Sequence, residues 1–448
     1  MNSEDYFSNR TIQDEEKVRT QSLDVESEVI NAYKKAQSYL TGEVKKLYRR
    51  YINKSGKTEA EVKQILNTTA EPSELVRLKG LTRDITNEDL QAEAKNYLNG
   101  LAVKSRITRL ETLKAKSYIV SKQVADVQLS KSTNFYVDVI QEAHNKAAAE
   151  AIIGNTEKAY NLHNDGKYKS FTVKGGKLVV ELVKEGTNEV LDTVKVKKDE
   201  PIKEFKELST KYTKNILESH WKGSNYSKRI WNDTELLAKH LQEMFTIETM
   251  TGLSEREMVS ILVKEFDTSI YAARRLIRTE ANYMANQAKL KGWKEHGVEK
   301  YMIVAVLDLR TSVICQGQDG KIYDIDKAQA GFNFPPFHPF CRSVVRAYFG
   351  TQSLAAKRTA IDRVTGEPMT ITQGTNYKEW EKMLLDKHGK KDVEVAKSKI
   401  INYKRDLEMY NKFKSKLGDS FTKNFDSFQE VKYTDITKWQ EWLKNKKE

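Results

Sequence analysis

Two cysteines and one histidine are the residues whose types and spacing point most clearly to chemistry. Cys315, His338 and Cys341 share one stretch of the chain, and two residues separate His338 from Cys341. Thiolate and imidazole groups are usual protein ligands of zinc, which takes four donors arranged as a tetrahedron. The set therefore predicts a structural zinc site, in which Asp308, Asp319 or a water molecule would supply the fourth donor.

Other interpretations of the same residues stay open. The cysteines are also compatible with small buried apolar side chains, with His338 packed in a proline-stiffened loop. A nucleophilic pair would use Cys315 or Cys341 with His338 as its base, but the sequence shows neither an orienting third group nor a nucleophile loop. A zinc-supported nuclease would need Asp308 as a further ligand and base. We predict a structural role and no catalytic residue.

Charged residues near this set indicate internal ion pairs. Arg274 and Arg278 lie four residues apart on a predicted helix and are followed by Glu280, whereas Asp308 and Arg310 follow a predicted strand. A buried arginine satisfies several acceptors at once, so it orders loops that lack regular hydrogen bonds. We expect these residues to clamp the helix onto the strand that ends at Asp308. The alternative is an ordinary helix surface with salt bridges.

The balance of charge favours a polyanionic partner. The net charge is +13, from 76 lysines and arginines against 63 acidic residues. A surplus of this sign favours nucleic acid or an acidic protein surface, although it also serves solubility. The candidate phosphate contacts are one basic cluster, Lys45, Lys46, Arg49, Arg50, Lys54 and Lys57, and the lysine-rich tail. Neither shows the aromatic interleaving that stacks on bases, so DNA binding is predicted to be independent of sequence.

Helices must position most of these residues. Only 39% of the residues are hydrophobic, 31% are charged, and there are only 6 prolines, which favours long, solvated helices. We predict a helical N-terminal region at 1–165 and a β-rich insertion at 166–211 with turns at Gly175-Gly176 and at 185–188. A mixed region follows at 212–350, and a helical, lysine-rich tail occupies 351–448. The fold class is mainly α, with a small α+β module, a short β insertion and long helical flanks.

The mixed region carries the clearest local signals. Ser254 and Glu257 form a capping box before one helix, and a second helix is predicted from about 269 to 296. The apolar run 301–307 reads as a buried strand, Asp319-Gly320 as a hairpin turn and 343–348 as a returning strand. Two cysteines cannot form a disulfide framework, and no apolar run approaches the length of a membrane span. We therefore expect synthesis in a reducing cytoplasm and no membrane.

Residues from about 221 to 348 resemble the phage head morphogenesis family that is related to the F protein of phage Mu. The resemblance begins at 225–231, Asn-Tyr-Ser-Lys-Arg-Ile-Trp, and continues at 273–280, Ala-Arg-Arg-Leu-Ile-Arg-Thr-Glu. It then includes 308–312, Asp-Leu-Arg-Thr-Ser, and Cys315. The closing run 331–343 matches a family signature, Gly-x-Asn-x-Pro-Pro-x-His-Pro-x-Cys-Arg, in order and spacing.

This resemblance implies a minor capsid protein rather than an enzyme. It implies a protein that is built into the head during assembly, inside the head or at the portal vertex, with ejection alongside the genome as a further option. The implied partners are the portal protein, capsid or scaffold proteins and double-stranded DNA. A zinc-dependent nuclease or another phage DNA-processing enzyme is the alternative. The resemblance does not account for the β insertion.

Overall fold

Three long helices of 45, 56 and 41 residues form the body of the described part of the chain. The computed structural model describes residues 3–52, 58–103, 107–164, 168–174, 177–183, 190–197, 208–350, 357–372, 374–418, 422 and 424–445. The mainly helical fold class with small sheets is confirmed. Among the described residues, no helix combines the length and apolar character that a membrane span requires.

Five helices precede the β insertion in the described part of the chain, and helix α1 ends in a short π-helical turn at Tyr48–Ile52. These helices are α1 (Ser3–Leu47), α2 (Glu59–Leu66), α3 (Pro72–Arg83), α4 (Glu88–Ala102) and α5 (Arg109–Asn164). Local sequence explains where two of them begin. Thr58 and Glu61 form a capping box at α2, and Asn87 accepts a hydrogen bond from the Leu90 amide at α4.

The predicted β insertion is a three-stranded antiparallel meander. Its strands are β1 (Tyr168–Lys174), β2 (Lys177–Val183) and β3 (Val190–Lys197), hydrogen-bonded in that order. Both predicted turn segments, 175–176 and 185–188, lie outside the described residues. The pairing of each strand with its sequence neighbour is what short connections favour.

Helices return after the insertion as α6 (Thr210–Glu218), α7 (Tyr226–Met244), α8 (Ile247–Gly252) and α9 (Glu255–Glu295). The capping box of Ser254 and Glu257 is present at the start of α9. The prediction of two helices in this segment was wrong, because α9 runs through 41 residues without a break. No proline or glycine interrupts it before Gly292, so nothing in the backbone chemistry ends the first helix.

One hydrophobic core holds the long helices side by side. It contains Val29 and Tyr33 of α1, Tyr136 of α5, Leu237 of α7 and Ile277 of α9, all of which are at most 2% exposed. The apolar side chains of α1 recur at helical spacing and form a stripe that faces this core. Residues of the predicted N-terminal region 1–165 and of the predicted mixed region 212–350 thus pack into one core. The division of the chain into four regions stays a prediction.

A small sheet lies at the C-terminal end of α9. Its strands are β4 (Lys300–Val304), β5 (Ile322–Asp324) and β6 (Val344–Tyr348), with β4 in the centre and both pairings antiparallel. The short helix α10 (Val313–Gln318) and the turn at Asp319-Gly320 connect β4 to β5. Gly320 has a φ of 76°, which favours glycine at that position. The predicted returning strand is β6.

The tail contains a hairpin as well as helices. Strands β7 (Lys357–Ile361) and β8 (Pro368–Thr372) form a two-stranded sheet in the region predicted to be helical, and Gly366 has a φ of 84° in their connection. The helices that follow are α11 (Tyr377–Ile401), α12 (Tyr403–Leu417), α13 (Phe425–Thr434) and α14 (Ile436–Asn445). Phe413, Phe428 and Trp442 give the last three helices a core of their own.

Candidate metal centre and the adjoining cleft

Three segments bring the two cysteines and the histidine together. Cys315 lies in α10, and its amide donates a hydrogen bond to Oγ of Ser312, the residue that caps this helix. His338 and Cys341 lie in the loop before β6, where the Cys341 amide donates to the His338 carbonyl at 3.1 Å. The Phe340 amide donates to Oγ1 of Thr279 at 3.0 Å, which fastens this loop to α9.

The three side chains form a tight cluster. Sγ of Cys315 lies 3.1 Å from Nε2 of His338 and 3.8 Å from Sγ of Cys341, and the three donor atoms all lie within 4.8 Å of one another. Each cysteine is 3% exposed. The structure thus brings together all three residues that the sequence singled out as zinc ligands.

Hydrogen bonding defines which nitrogen of His338 carries the proton. Nδ1 lies 2.8 Å from the carbonyl oxygen of Pro339, and a carbonyl only accepts, so Nδ1 is the donor. In the neutral ring the lone pair is then on Nε2, which lies 3.1 Å from Sγ of Cys315 and 2.8 Å from Oγ of Ser312. The lone pair of Nε2 therefore faces the thiols.

The two thiols differ in how readily they lose a proton. The hydrogen bond from Cys341, followed by that from Ser312, holds the pKa of Cys315 below its ordinary value. The hydrogen bond to Cys315, together with burial, raises the pKa of Cys341. Of the two thiols, Cys315 is therefore the one that loses its proton more readily.

Neither aspartate proposed as the fourth ligand belongs to the cluster. Asp308 accepts hydrogen bonds from Nη1 and Nη2 of Arg342 at 2.5 and 2.9 Å, and from the Arg310 amide at 3.0 Å. Asp319 accepts a hydrogen bond from the Ala305 amide at 2.7 Å. Among the described residues, no other histidine, cysteine or carboxylate joins the group. The nuclease alternative thus has no carboxylate at the cluster.

Asp308 instead binds Arg342 and so holds the end of the loop before β6. Burial would raise its pKa, but the hydrogen bonds and charge of Arg342 outweigh that effect and hold the pKa at about 2. Its carbonyl oxygen also accepts a hydrogen bond from the Tyr377 hydroxyl at 3.1 Å. A carboxylate engaged with an arginine in this way stays ionised and is a poor general base near neutral pH.

The predicted ion pairs join other elements than expected. Arg278 contacts Glu26 of α1 at 2.5 and 2.9 Å, and Arg274 lies 3.7 Å from the same carboxylate. Glu280 faces Arg229 of α7 at 3.5 Å. The expectation that these residues clamp α9 onto the strand before Asp308 was wrong, because nearer partners on α1 and α7 take up their charges.

A cleft of about 750 Å³ lies beside the cluster, and Cys315, His338 and Cys341 line it. Its other walls come from residues 14–22 of α1, 139–146 of α5 and 271–289 of α9. Glu15 lies in this wall, where burial raises its pKa to about 7 against the opposing effect of Arg342. Burial also lowers the pKa of Lys289 in the same wall.

The predicted DNA-contact cluster lies at the end of α1, far along the helix from this cleft. Lys46 pairs with Glu43 at 2.6 Å, and Arg49 lies 3.8 Å from Glu255. Arg50 is exposed and Lys45 is half-buried, whereas Lys54 and Lys57 lie outside the described residues. Two of the basic side chains therefore already have acidic partners within the chain.

Comparison with known proteins gives one match. Residues 239–346 match the family model described as "Phage Mu protein F like protein". This segment runs from within α7 to within β6, and it contains α9, α10 and the cysteine–histidine cluster. No curated protein and no solved structure matches the chain significantly.

Proposed function

Residues 239–346 belong to the phage Mu protein F-like family, a family of phage head-related proteins, and from that premise we propose that this chain is a minor structural protein of a bacteriophage head. It enters the particle during assembly in the host cytoplasm and stays in the virion, inside the head or at the portal vertex. The family match over the segment that builds the cluster and its supporting helix is the observation that carries this proposal.

The architecture supports a structural rather than a catalytic role. The matched helix α9 shares its core with α1, α5 and α7, so the family segment is packed into the body of the protein. The carboxylate that a nuclease would need beside the cluster is held by Arg342. Both features suit a protein whose work is to hold a shape during assembly.

The partners proposed are the portal protein, capsid or scaffold proteins and double-stranded DNA. A net charge of +13 favours contact with phosphate, and contacts of this kind carry no sequence information. Helix α5 has 56 residues, so at about 1.5 Å per residue it is about 84 Å long. Most of its described side chains are buried or half-buried, so this helix is the internal axis of the helical body.

Mass spectrometry of purified, nuclease-treated virions tests the proposal. We expect peptides of this chain in mature particles, at a small fraction of the abundance of the major capsid protein. Purified portal protein should retain the chain in a pull-down, with a basic protein of similar charge as the control for ionic adsorption. Absence from mature particles together with failure to bind portal protein would contradict the proposal.

A further inference from the structure

We propose that Sγ of Cys315, Nε2 of His338 and Sγ of Cys341 bind one zinc ion at the wall of the cleft, and that its fourth coordination position faces the cleft. All three residues line the cleft, and their donor atoms lie within 4.8 Å of one another. The site does not depend on the function proposed above, because it rests on the geometry of this chain alone.

The separation of the sulfurs fits a tetrahedral ion. Zinc–sulfur bonds of about 2.3 Å at a tetrahedral angle place two sulfurs roughly 3.8 Å apart. The sulfurs of Cys315 and Cys341 are 3.8 Å apart. The same geometry asks for roughly 3.5 Å between sulfur and nitrogen, and Sγ of Cys315 lies 3.1 Å from Nε2 of His338. A shift of a few tenths of an ångström brings this sulfur–nitrogen pair to the separation that zinc requires.

The histidine is already oriented as a metal ligand. A histidine that binds metal through one nitrogen usually donates its other ring N–H to a carbonyl or carboxylate, which fixes the ring. His338 makes this hydrogen bond to the Pro339 carbonyl at 2.8 Å. Its Nε2 lone pair therefore needs no rotation of the ring to reach an ion between the sulfurs.

The donor set selects the metal. Calcium and magnesium prefer oxygen donors, whereas thiolate and imidazole suit zinc. Two thiolates balance the charge of a divalent ion, which favours the site because each cysteine is only 3% exposed.

The fourth position is left to a molecule from the cleft. Among the described residues no further acidic, cysteine or histidine side chain belongs to the group, and Asp308 is held by Arg342. Three protein donors with one exchangeable position are typical of zinc sites that bind a water molecule or an incoming ligand. We infer that water occupies this position and that a small anion can replace it.

Cobalt substitution of the full chain tests the site. The protein is purified with a reductant, freed of metal by a chelator and titrated with Co²⁺. We expect saturation at about one equivalent, with a sulfur-to-cobalt charge-transfer band in the near ultraviolet and intense tetrahedral bands in the visible. One equivalent of Zn²⁺ should displace the cobalt and raise Tm above that of the metal-free protein. No charge-transfer band under reducing conditions overturns the proposal.

Single substitutions assign the ligands. Cys315→Ser, Cys341→Ser and His338→Gln should each weaken cobalt binding by roughly tenfold or more. His240→Gln is the matched control, because His240 is half exposed and contacts Glu265 at 3.1 Å, away from the cluster. Equal binding by Cys341→Ser and wild type overturns the ligand set. Where a variant does not fold, alkylation of the wild-type protein is measured instead. Zn²⁺ should protect both thiols from the alkylating reagent, and thiols that Zn²⁺ does not protect contradict the site.

Azide tests the open position. Added to the cobalt-loaded protein, azide should shift the visible bands, since it replaces the water on the ion. The cobalt-loaded His240→Gln variant should respond in the same way. Bands that do not move with azide mean a closed site and overturn the assignment of the fourth position to the cleft.

Discussion

Glu280 lies inside the helical core, where its carboxylate faces a single arginine. Its side chain is 1% exposed, and its Oε1 lies 3.5 Å from Nη1 of Arg229 on α7. Arg229 in turn lies 5.3 Å from the centre of the Trp221 ring. Burial raises the pKa of Glu280 to about 7, although Arg229 acts in the opposite direction. The free-energy cost of removing this carboxylate from water therefore exceeds the stabilisation that the distant ion pair provides.

This pKa makes the stability of the protein depend on pH. The raised pKa means that the folded state holds the proton of Glu280 from its ordinary value of 4.5 up to about 7. The stabilisation that Glu280 contributes is thus complete below about pH 4.5 and is lost as the pH rises to about 7. Over this range the free energy of unfolding falls by at most about 1.4 kcal/mol per pH unit. Glu280→Gln keeps the side-chain volume and removes the titrating group. Between pH 5 and pH 8, the free energy of unfolding measured with urea should therefore decrease less in this variant than in wild type.

The control for this experiment is Glu248→Gln on α8, because Glu248 is exposed. That variant should retain the wild-type change in the free energy of unfolding between the two pH values. An unchanged pH dependence in Glu280→Gln would show that Glu280 does not titrate in this range.

Residues close together in the sequence were the ones whose contacts could be predicted. Cys315, His338 and Cys341 are rare residue types within one short stretch, and the loop geometry that joins them is local. The partner of Arg278 is Glu26, which is 252 residues away. Many acidic residues lie on predicted helices, and nothing in a helical period says which of them a distant arginine will face.

At the scale of elements, the crossing of α5 and α9 depends on a glycine. Gly292 lies in α9, and a Cβ atom there would lie 2.9 Å from the carbonyl oxygen of His144 and 3.0 Å from Cβ of Ala147, both on α5. A distance below 3.0 Å to a backbone atom cannot be relieved by turning a side chain. The two helices therefore approach as closely as they do because this position has no side chain.

Gly292→Ala should destabilise the protein even though alanine favours helix formation. The propensity gain is about 1 kcal/mol, whereas overpacking typically costs about 1–3 kcal/mol. We expect a net loss in the free energy of unfolding, measured by urea denaturation. Gly80→Ala on α3 is the matched control, since nothing lies within 4 Å of the added Cβ. It should stabilise by about 0.5–1 kcal/mol, and a stabilising Gly292→Ala would contradict the close approach.

Elements with strong end signals were predicted well, and elements without them were not. The capping box predicted at Ser254 begins a helix in the structure. The β7–β8 hairpin was missed, because its strands have five residues each and their alternation is short. The undivided length of α9 was missed too, since a change in the apolar face does not end a helix when the backbone permits it.

At the scale of the whole molecule, the positive charge predicts weak, salt-sensitive binding to DNA. We expect affinity in the micromolar range or weaker without sequence preference, with the logarithm of the binding constant falling linearly with that of the salt concentration. Replacing Lys45, Lys46, Arg49 and Arg50 by glutamine should reduce the slope by up to about 0.9 per lost phosphate contact. A gel-shift series at rising salt measures it.

The control for this experiment removes the same charge elsewhere. Lys378, Lys382, Lys390 and Lys391 lie on α11, and their replacement by glutamine leaves the end of α1 unchanged. A smaller effect of this variant supports a local contact at the end of α1. Equal effects of both variants would contradict a contact confined to the end of α1, because the lysine-rich tail would then contribute as much to binding. Strong discrimination between unrelated DNA sequences would contradict the mode of binding itself.

The position of α1 in the wall of the cleft has a consequence for the order of synthesis. Glu15 leaves the ribosome 327 residues before Arg342 (342 − 15), the cation that opposes its raised pKa. At about 5–20 residues per second, this interval is about 15–60 s. Within that interval α5 is synthesised well before α9 and the loop of the cluster, so it can cover α1 first. The wall of the cleft is therefore complete only after translation has passed the cysteine–histidine segment. Until then, part of the apolar stripe on α1 has no packing partner from the later segments.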